Sequence, residues 1–278
     1  MDGRFRLCEA STVGPDIVRL VVDAPRVATH ARPGQFVVVR ATERSERIPL
    51  TISDHDATSG RIVLVVQNVG SSTAELCALP TGVSLADVLG PLGTPTEIED
   101  FGHCVVVAGG VGIAIALPVM RGLQAGDNQV TGVFGARTAE HLILLDEVRR
   151  TSDLTLVTTE DGSAGRKGLV TDALAEVISL NKVDRVFVAG PIGMMQAVAE
   201  ATRHHAIPTI ASLNPIMVDG TGMCGGCRVA IGGDTRFACV DGPEFDAHLV
   251  DFDMLLRRNQ AYTAFEACQV DIARVRSG

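Results

Sequence analysis

HCVVVAGGVGIAIALPVMRGL, residues 103–123, decides the fold. The run Cys104–Ala108 is apolar and short, three glycines follow within four positions (Gly109, Gly110, Gly112), and a second apolar run then continues for a helix's length. A buried strand, a tight turn and a helix open a βαβ unit. Glycines at such a turn let backbone N–H groups approach a pyrophosphate, and the start of the helix favours its charge. The spacing is not the strict G-x-G-x-x-G, so a turn that binds nothing is an equal reading of this stretch alone.

Downstream the alternation continues. Residues 129–137, 154–162 and 183–191 read as strands, and 141–150, 169–180 and 193–205 as helices, the pattern of a parallel α/β sheet. A second glycine turn, AGPIGMM (189–195), ends a later strand. Turns at the C-terminal ends of parallel strands share one sheet edge, where ligands bind. Upstream, residues 16–25, 34–41, 48–56 and 61–69 are short and β-branched, which suggests a sandwich or barrel, and the breaker cluster GPLGTP (90–95) marks its edge. Arg47 lies beside an extended run, and Gly70, Ser71, Ser72 and Thr73 begin a helix. These are either phosphate contacts or a surface arginine and an ordinary N-cap. From 209 the chain is glycine-rich and cysteine-bearing, then helical and charged over 253–267. That helix, with Arg257 and Arg258, covers the cysteines, faces a partner or is simply solvated. Three units are expected: 1–98, 99–208 and 209–278.

The 278 residues suffice for two or three domains. A net charge of −9, no tryptophan and a single tyrosine argue against nucleic acid as a partner. No apolar run is long enough to span a membrane and the N-terminus lacks a signal layout, so a cytoplasmic chain is expected. Of seven cysteines, Cys8, Cys77, Cys104 and Cys268 are scattered and read as small core residues. The other three cluster in DGTGMCGGCRV (219–229) and RFACVDG (236–242).

Cys224, Cys227 and Cys239 match the last three positions of the plant-type iron–sulfur spacing C-x4-C-x2-C…C, and the first position falls on Asp219. A carboxylate is a harder iron ligand than thiolate but of equal charge. Structural zinc, with Asp219 as a turn residue, is the other reading, although the second Cys/His pair of a zinc knuckle does not follow.

RIPLTIS, NVGSST, GPLGTP, AGGVGIAIALP and AGPIGMM occur in this order. Together they resemble the ferredoxin-NADP reductase superfamily and, within it, the electron-transfer subunits of dihydroorotate dehydrogenase. Residues 213–253 are similar to the small subunits of NADH-dependent ferredoxin:NADP⁺ oxidoreductases, also called sulfide dehydrogenase beta subunits. The resemblance implies a β-barrel FAD domain, an α/β parallel-sheet NAD domain and a small C-terminal [2Fe–2S] segment. Position by position it implies a flavin motif at Arg47, Pro49, Leu50, Thr51 and Ser53, with Val65, Val66 and Gln67 on the strand beside the isoalloxazine. It implies a pyrophosphate turn at Gly70, Ser71, Ser72 and Thr73, and a nicotinamide nucleotide site at Gly109, Gly110, Val111 and Gly112 with Gly190, Pro191 and Met194. Thr159, Glu160 and Asp161 then fall at the adenosine half. Their acidity favours NAD over NADP, while Arg137 and Arg166 nearby suit a 2′-phosphate. The cluster ligands are Asp219, Cys224, Cys227 and Cys239, with Asp219 where the dihydroorotate relatives have cysteine, which suggests a raised potential.

The implied mechanism passes hydride from NADH to FAD and single electrons through the cluster, with no catalytic acid, base or nucleophile in the chain. The implied partner is a larger subunit with its own FAD and [4Fe–4S] clusters, which binds NADP(H) and ferredoxin. The pair performs electron bifurcation or reduces sulfur or polysulfide. Two alternatives remain: a dihydroorotate dehydrogenase electron-transfer subunit, marked by co-purification of a pyrimidine enzyme, and a zinc-stabilised flavin-binding regulatory module.

Overall fold

The computed structural model describes residues 4–261. Six strands build the first unit: β1 (Leu7–Gly14), β2 (Ile17–Asp23), β3 (Phe36–Arg40), β4 (Ile48–Asp56), β5 (Arg61–Gln67) and β6 (Asp87–Leu92), with short helices α1 (Pro25–His30) and α2 (Ser71–Cys77). They form one antiparallel sheet in the order β1-β2-β5-β4-β3-β6. An Arg6–Ser84 bridge ties its two ends together, as a barrel requires. Alternate residues of β3 and β5 face inward, so Val37, Val39, Leu64 and Val66 fill the barrel core. The expected break at 90–95 lies partly inside β6, where Gly90–Pro91 is a cis peptide bond on an edge strand.

The second unit contains β7 (His103–Gly109), α3 (Gly112–Ala125), β8 (Gln129–Ala136), α4 (Leu145–Arg150), β9 (Leu154–Thr159), β10 (Arg166–Lys167), α5 (Val170–Leu180), β11 (Arg185–Ala189), α6 (Ile192–Arg203) and β12 (Thr209–Ser212). The third adds β13 (Arg228–Ile231), β14 (Asp234–Phe237), β15 (Glu244–Asp246) and α7 (Phe252–Gln260). The large sheet runs β10-β9-β8-β7-β11-β12-β15, all parallel except β15. It therefore continues beyond residue 208, through β12, and takes its last strand from the cysteine-bearing segment. The helix expected over 141–150 is only 145–150, because Leu144 takes a left-handed φ of 54° that breaks a helix there. The helix expected over 253–267 spans Phe252–Gln260; its remainder and Cys268 lie outside the described residues.

The three units share packing. One apolar cluster joins Phe36 and Val38 of the barrel, Val105, Val107, Val186 and Val188 of the large sheet, and Cys227, Val229 and Cys239 of the third unit. Helix α3 lies against β4, and Arg121 pairs with Asp54 at 2.7 Å across that contact. No described helix is long and apolar enough to cross a membrane.

Candidate functional site

The chain leaves β7 in one direction, through α3 to β8, and leaves β11 in the other, through α6 to β12. Because β7 and β11 are neighbours in the sheet, a crevice opens between their C-terminal ends, the switch point where open α/β sheets bind ligands. Both glycine turns fall there and touch. A Cβ on Gly112 would lie 2.3 Å from the Ala189 carbonyl oxygen, so only glycine lets α3 begin so close to β11. Met194 packs beneath the pair, close enough that a Cβ on Gly109 or Gly190 would collide with it. Gly109–Gly112, Gly190, Pro191 and Met194 are thus one constellation, with Met194 as its packing member rather than an exposed contact.

On the neighbouring strand ends, Glu160 and Asp161 are exposed beyond β9. Asp161 accepts from the Ser163 hydroxyl (2.6 Å) and the Ser163 amide (2.9 Å), which hold its carboxyl below the usual carboxylate range. Ser163 Oγ also accepts from the Ala139 amide at 2.8 Å, so Ser163 orients the acidic tip. Arg137 is exposed, and its carbonyl accepts from the Asp161 amide at 3.3 Å. Thr159 differs from the rest: it is fully buried, and its hydroxyl bonds the Ala164 carbonyl at 2.7 Å. It shapes the loop from within.

In the barrel, Pro49, Leu50 and Thr51 are half-buried along β4 and Ser53 is buried at its bulge. Arg47 is exposed and 3.6 Å from Asp87, which Arg40 holds more tightly at 2.6 Å. Val65 and Val66 send their side chains into apolar cores, leaving backbone as the outward feature of that strand, while Gln67 is half-buried. Ser71 is exposed at the start of α2. Ser72 Oγ donates to Glu46 at 3.2 Å. Thr73 Oγ1 accepts from the Val69 and Gly70 amides, each at 3.0 Å, and donates to the Gly70 carbonyl at 2.9 Å. This hydroxyl is a cap. Thr73→Val is expected to lower stability by about 1 kcal/mol, read as a fall of about 2–4 °C in Tm.

The cysteine loop closes on Asp219. Its Oδ1 accepts from the Thr221 amide (2.9 Å) and its Oδ2 from the Cys224 amide (2.7 Å), and these bonds, led by Thr221's, keep the carboxyl ionised. Each oxygen retains a further acceptor site. Cys227 and Cys239 are buried with their sulfurs 3.2 Å apart, and both thiols are free. Burial, then the Cys227 contact, pushes the Cys239 thiol up to about 12, so metal uptake must displace its proton. Cys224 is exposed, and its sulfur accepts from the Gly226 amide at 3.4 Å. Among the described residues no three His, Cys, Asp or Glu side chains converge as a single ion needs. The donors stand two and two instead, a buried thiol pair and an exposed thiol beside the half-buried Asp219 carboxylate. A two-iron cluster fits that division better than one tetrahedral zinc.

The loop presses on the barrel: Gly220, at φ 73°, lies where a Cβ would strike Leu92 and Val38. On its other side Arg258 of α7 donates to the Gly226 carbonyl at 3.0 Å, so α7 covers the cysteine loop. Cys104 is buried and pushed up to about 12 by desolvation, an inert core thiol, while Cys8 and Cys77 are half-buried.

An antiparallel barrel joined to a switch-point nucleotide sheet and closed by a cysteine loop defines a ferredoxin-NADP reductase-like electron-transfer protein. Residues 106–200 match the oxidoreductase NAD-binding domain, and residues 214–251 match the iron–sulfur cluster binding domain of dihydroorotate dehydrogenase B. A Thermotoga maritima homolog of the dihydroorotate dehydrogenase B (NAD⁺) electron transfer subunit is 47% identical, over 90% of this chain and 88% of the relative. An uncharacterized Clostridium beijerinckii protein is 41% identical, over 94% and 92%. A chain of the NADH-dependent reduced ferredoxin-NADP oxidoreductase, whose structure bears on flavin-based electron bifurcation, superposes with a TM-score of 0.92 at 44% identity, over 98% and 99%. The chain belongs to the family of dihydroorotate dehydrogenase B-type electron transfer subunits.

Proposed function

We propose that this chain exchanges hydride between NAD(H) and an FAD held in its barrel, and passes single electrons through a [2Fe–2S] cluster to a larger flavin- and [4Fe–4S]-bearing subunit. Through that subunit it serves an electron-bifurcating NADH-dependent ferredoxin:NADP⁺ oxidoreductase or a sulfide dehydrogenase, in the cytoplasm. The observation that carries the reading is the contact of Gly220 with Val38 and Leu92, which sets the cluster loop directly on the flavin barrel. A bound flavin supplies the conversion between a two-electron hydride and the single electrons a cluster accepts.

The chain's own residues bind and orient. Arg47 and the start of α2 at Gly70–Thr73 would hold the flavin's pyrophosphate, with Pro49, Leu50, Thr51 and Ser53 along one wall and the Val65–Gln67 backbone along another. The turns Gly109–Gly112 and Gly190–Met194 present N–H groups to the dinucleotide. Asp219 and Cys224 would hold one iron, Cys227 and Cys239 the other. The exposed side of Cys224 is the side open to a partner.

The acidic pair Glu160–Asp161 would meet the adenosine ribose and disfavour a 2′-phosphate. Glu160→Arg with Asp161→Ser is expected to raise the preference for NADPH over NADH by roughly tenfold, about 1.4 kcal/mol, in kcat/KM for flavin reduction. The test of the whole reading is the loaded chain with NADH and a one-electron dye. Dye reduction without NADPH formation supports it, and NADP⁺ reduction by this chain alone contradicts the two-subunit arrangement. The similarity to a dihydroorotate dehydrogenase B subunit homolog favours a second reading, in which the partner oxidises dihydroorotate. Co-purification of that enzyme would select it.

A further inference from the structure

Glu244 stands where all three units meet. It lies on β15 opposite Ser212 of β12, and its Oε1 accepts from the Thr96 hydroxyl at 2.9 Å. Thr96 in turn donates its amide to Pro33 at 2.8 Å, and a Cβ on neighbouring Gly34 would come within 3.2 Å of Glu244 Oε1. Thr94, like Thr96 on the linker between β6 and β7 (93–102), ties it to the segment before β15, through its amide to Gly242 (2.7 Å) and its hydroxyl to Val240 (3.1 Å). Glu244 shares a cavity of about 10 Å³, the space of one water, with Val106 of β7, Ala116 of α3, Phe187 and Ala189 of β11, and Ser212. Ala189 is the residue before the second glycine turn.

A carboxyl in this setting has nothing to balance a charge. Among the described residues no cation pairs with it and no other titratable side chain lines the cavity. The charged groups of the elements around it are engaged or turned outward. Glu97 of the linker pairs with Arg185 of β11 at 3.4 Å, and Arg121 of α3 pairs with Asp54. Asp241 accepts from the Phe237 amide, Asp246 accepts from the His248 amide, and Arg32 is exposed. Glu244 is half-buried, with its carboxyl held by Thr96 at the cavity wall. Desolvation pushes it up to about 7, against the opposing hydrogen bond from Thr96.

We propose that Glu244 is a positioning residue: its neutral carboxyl clasps the barrel, the nucleotide sheet and the cysteine segment together, and its ionisation loosens that junction. The linker and the Ala189 turn are then held most firmly below neutral pH and released as pH rises through neutrality. The sign follows from linkage. A carboxyl whose folded pKa is raised favours the packed state while it is protonated and opposes it once it is ionised.

Hydrogen exchange on the cofactor-loaded chain tests this, with rates corrected for intrinsic pH dependence. The Thr94 and Thr96 amides are expected to exchange up to about tenfold faster at about pH 8 than at about pH 6, because one unit below the midpoint the packed state still holds a proton the opened state has lost, a factor of about ten that is used up by the midpoint and levels off above it. Glu244→Gln should exchange at a pH-independent rate. Thr96→Val removes the hydrogen bond that favours the carboxylate, so its midpoint should move to higher pH. That variant decides the matter if Glu244→Gln does not fold. A wild-type rate flat across this range, an unaltered pH dependence in Glu244→Gln, or an unmoved midpoint in Thr96→Val overturns the proposal. The exchange readout is independent of the redox assignment, so either can fail alone.

Discussion

Cys239→Ser is expected to strip the chain of iron while NADH still reduces its flavin. Cys239 is 1% exposed, beside Cys227, and burial and that contact push its thiol up to about 12. A serine hydroxyl there is a harder, more weakly acidic donor, so the buried half of the proposed ligand set is expected to fail. Electron delivery to the partner should fall by at least about a hundredfold, the upper range for losing even an outer-shell residue. Flavin bleaching by NADH should not change, because the glycine turns lie elsewhere. Cys104→Ser is the control. It also places a hydroxyl in the core, at a cost of about 1–3 kcal/mol, yet Cys104 contacts Asn128 and not the loop, so iron content should hold. Iron analysis and stopped-flow absorbance on both variants separate lost ligation from lost stability.

The second large effect belongs to Gly112→Ala. The added methyl would meet the Ala189 oxygen at 2.3 Å and the Gly190 Cα at 3.0 Å, both backbone atoms, so the two turns must part. Overpacking of this kind costs about 1–3 kcal/mol. If that cost falls on the dinucleotide site, KM for NADH rises by roughly 5- to 150-fold. Gly193→Ala, three residues beyond Gly190 and with nothing within 4 Å of its new Cβ, should leave KM near wild type. Equal effects in the two variants would mean that the turns do not form a shared site.

What the sequence makes legible follows from which interactions are local. The β7–turn–α3 unit and β4 are readable because hydrophobic period and turn chemistry are encoded within the segment. β1 is not: LCEASTVG has few β-branched residues, and its strand is held by pairing with β2. β12 and β15 are also hidden, because four- and three-residue strands carry almost no pattern and become strands only by completing the sheet edge. At the site, both glycine turns and the cysteine loop are marked in sequence, but the inward turn of Thr159 is not. Ser163 is not among the residues the resemblance marks, although a serine two residues after Asp161 is an Asx-turn signal. Glu244 has no sequence signal. Its significance comes from Gly34, Thr96 and Ala189, all brought to it by tertiary packing.

The central claim is that Asp219, Cys224, Cys227 and Cys239 hold a two-iron cluster as the chain's electron outlet. Metal analysis with EPR on anaerobically purified protein, wild type and Asp219→Ala, tests it most directly. The account predicts about two irons per wild-type chain, no zinc, and one paramagnetic species on one-electron reduction, with that signal lost or altered in the variant. Zinc in place of iron, with no signal on reduction, would contradict it.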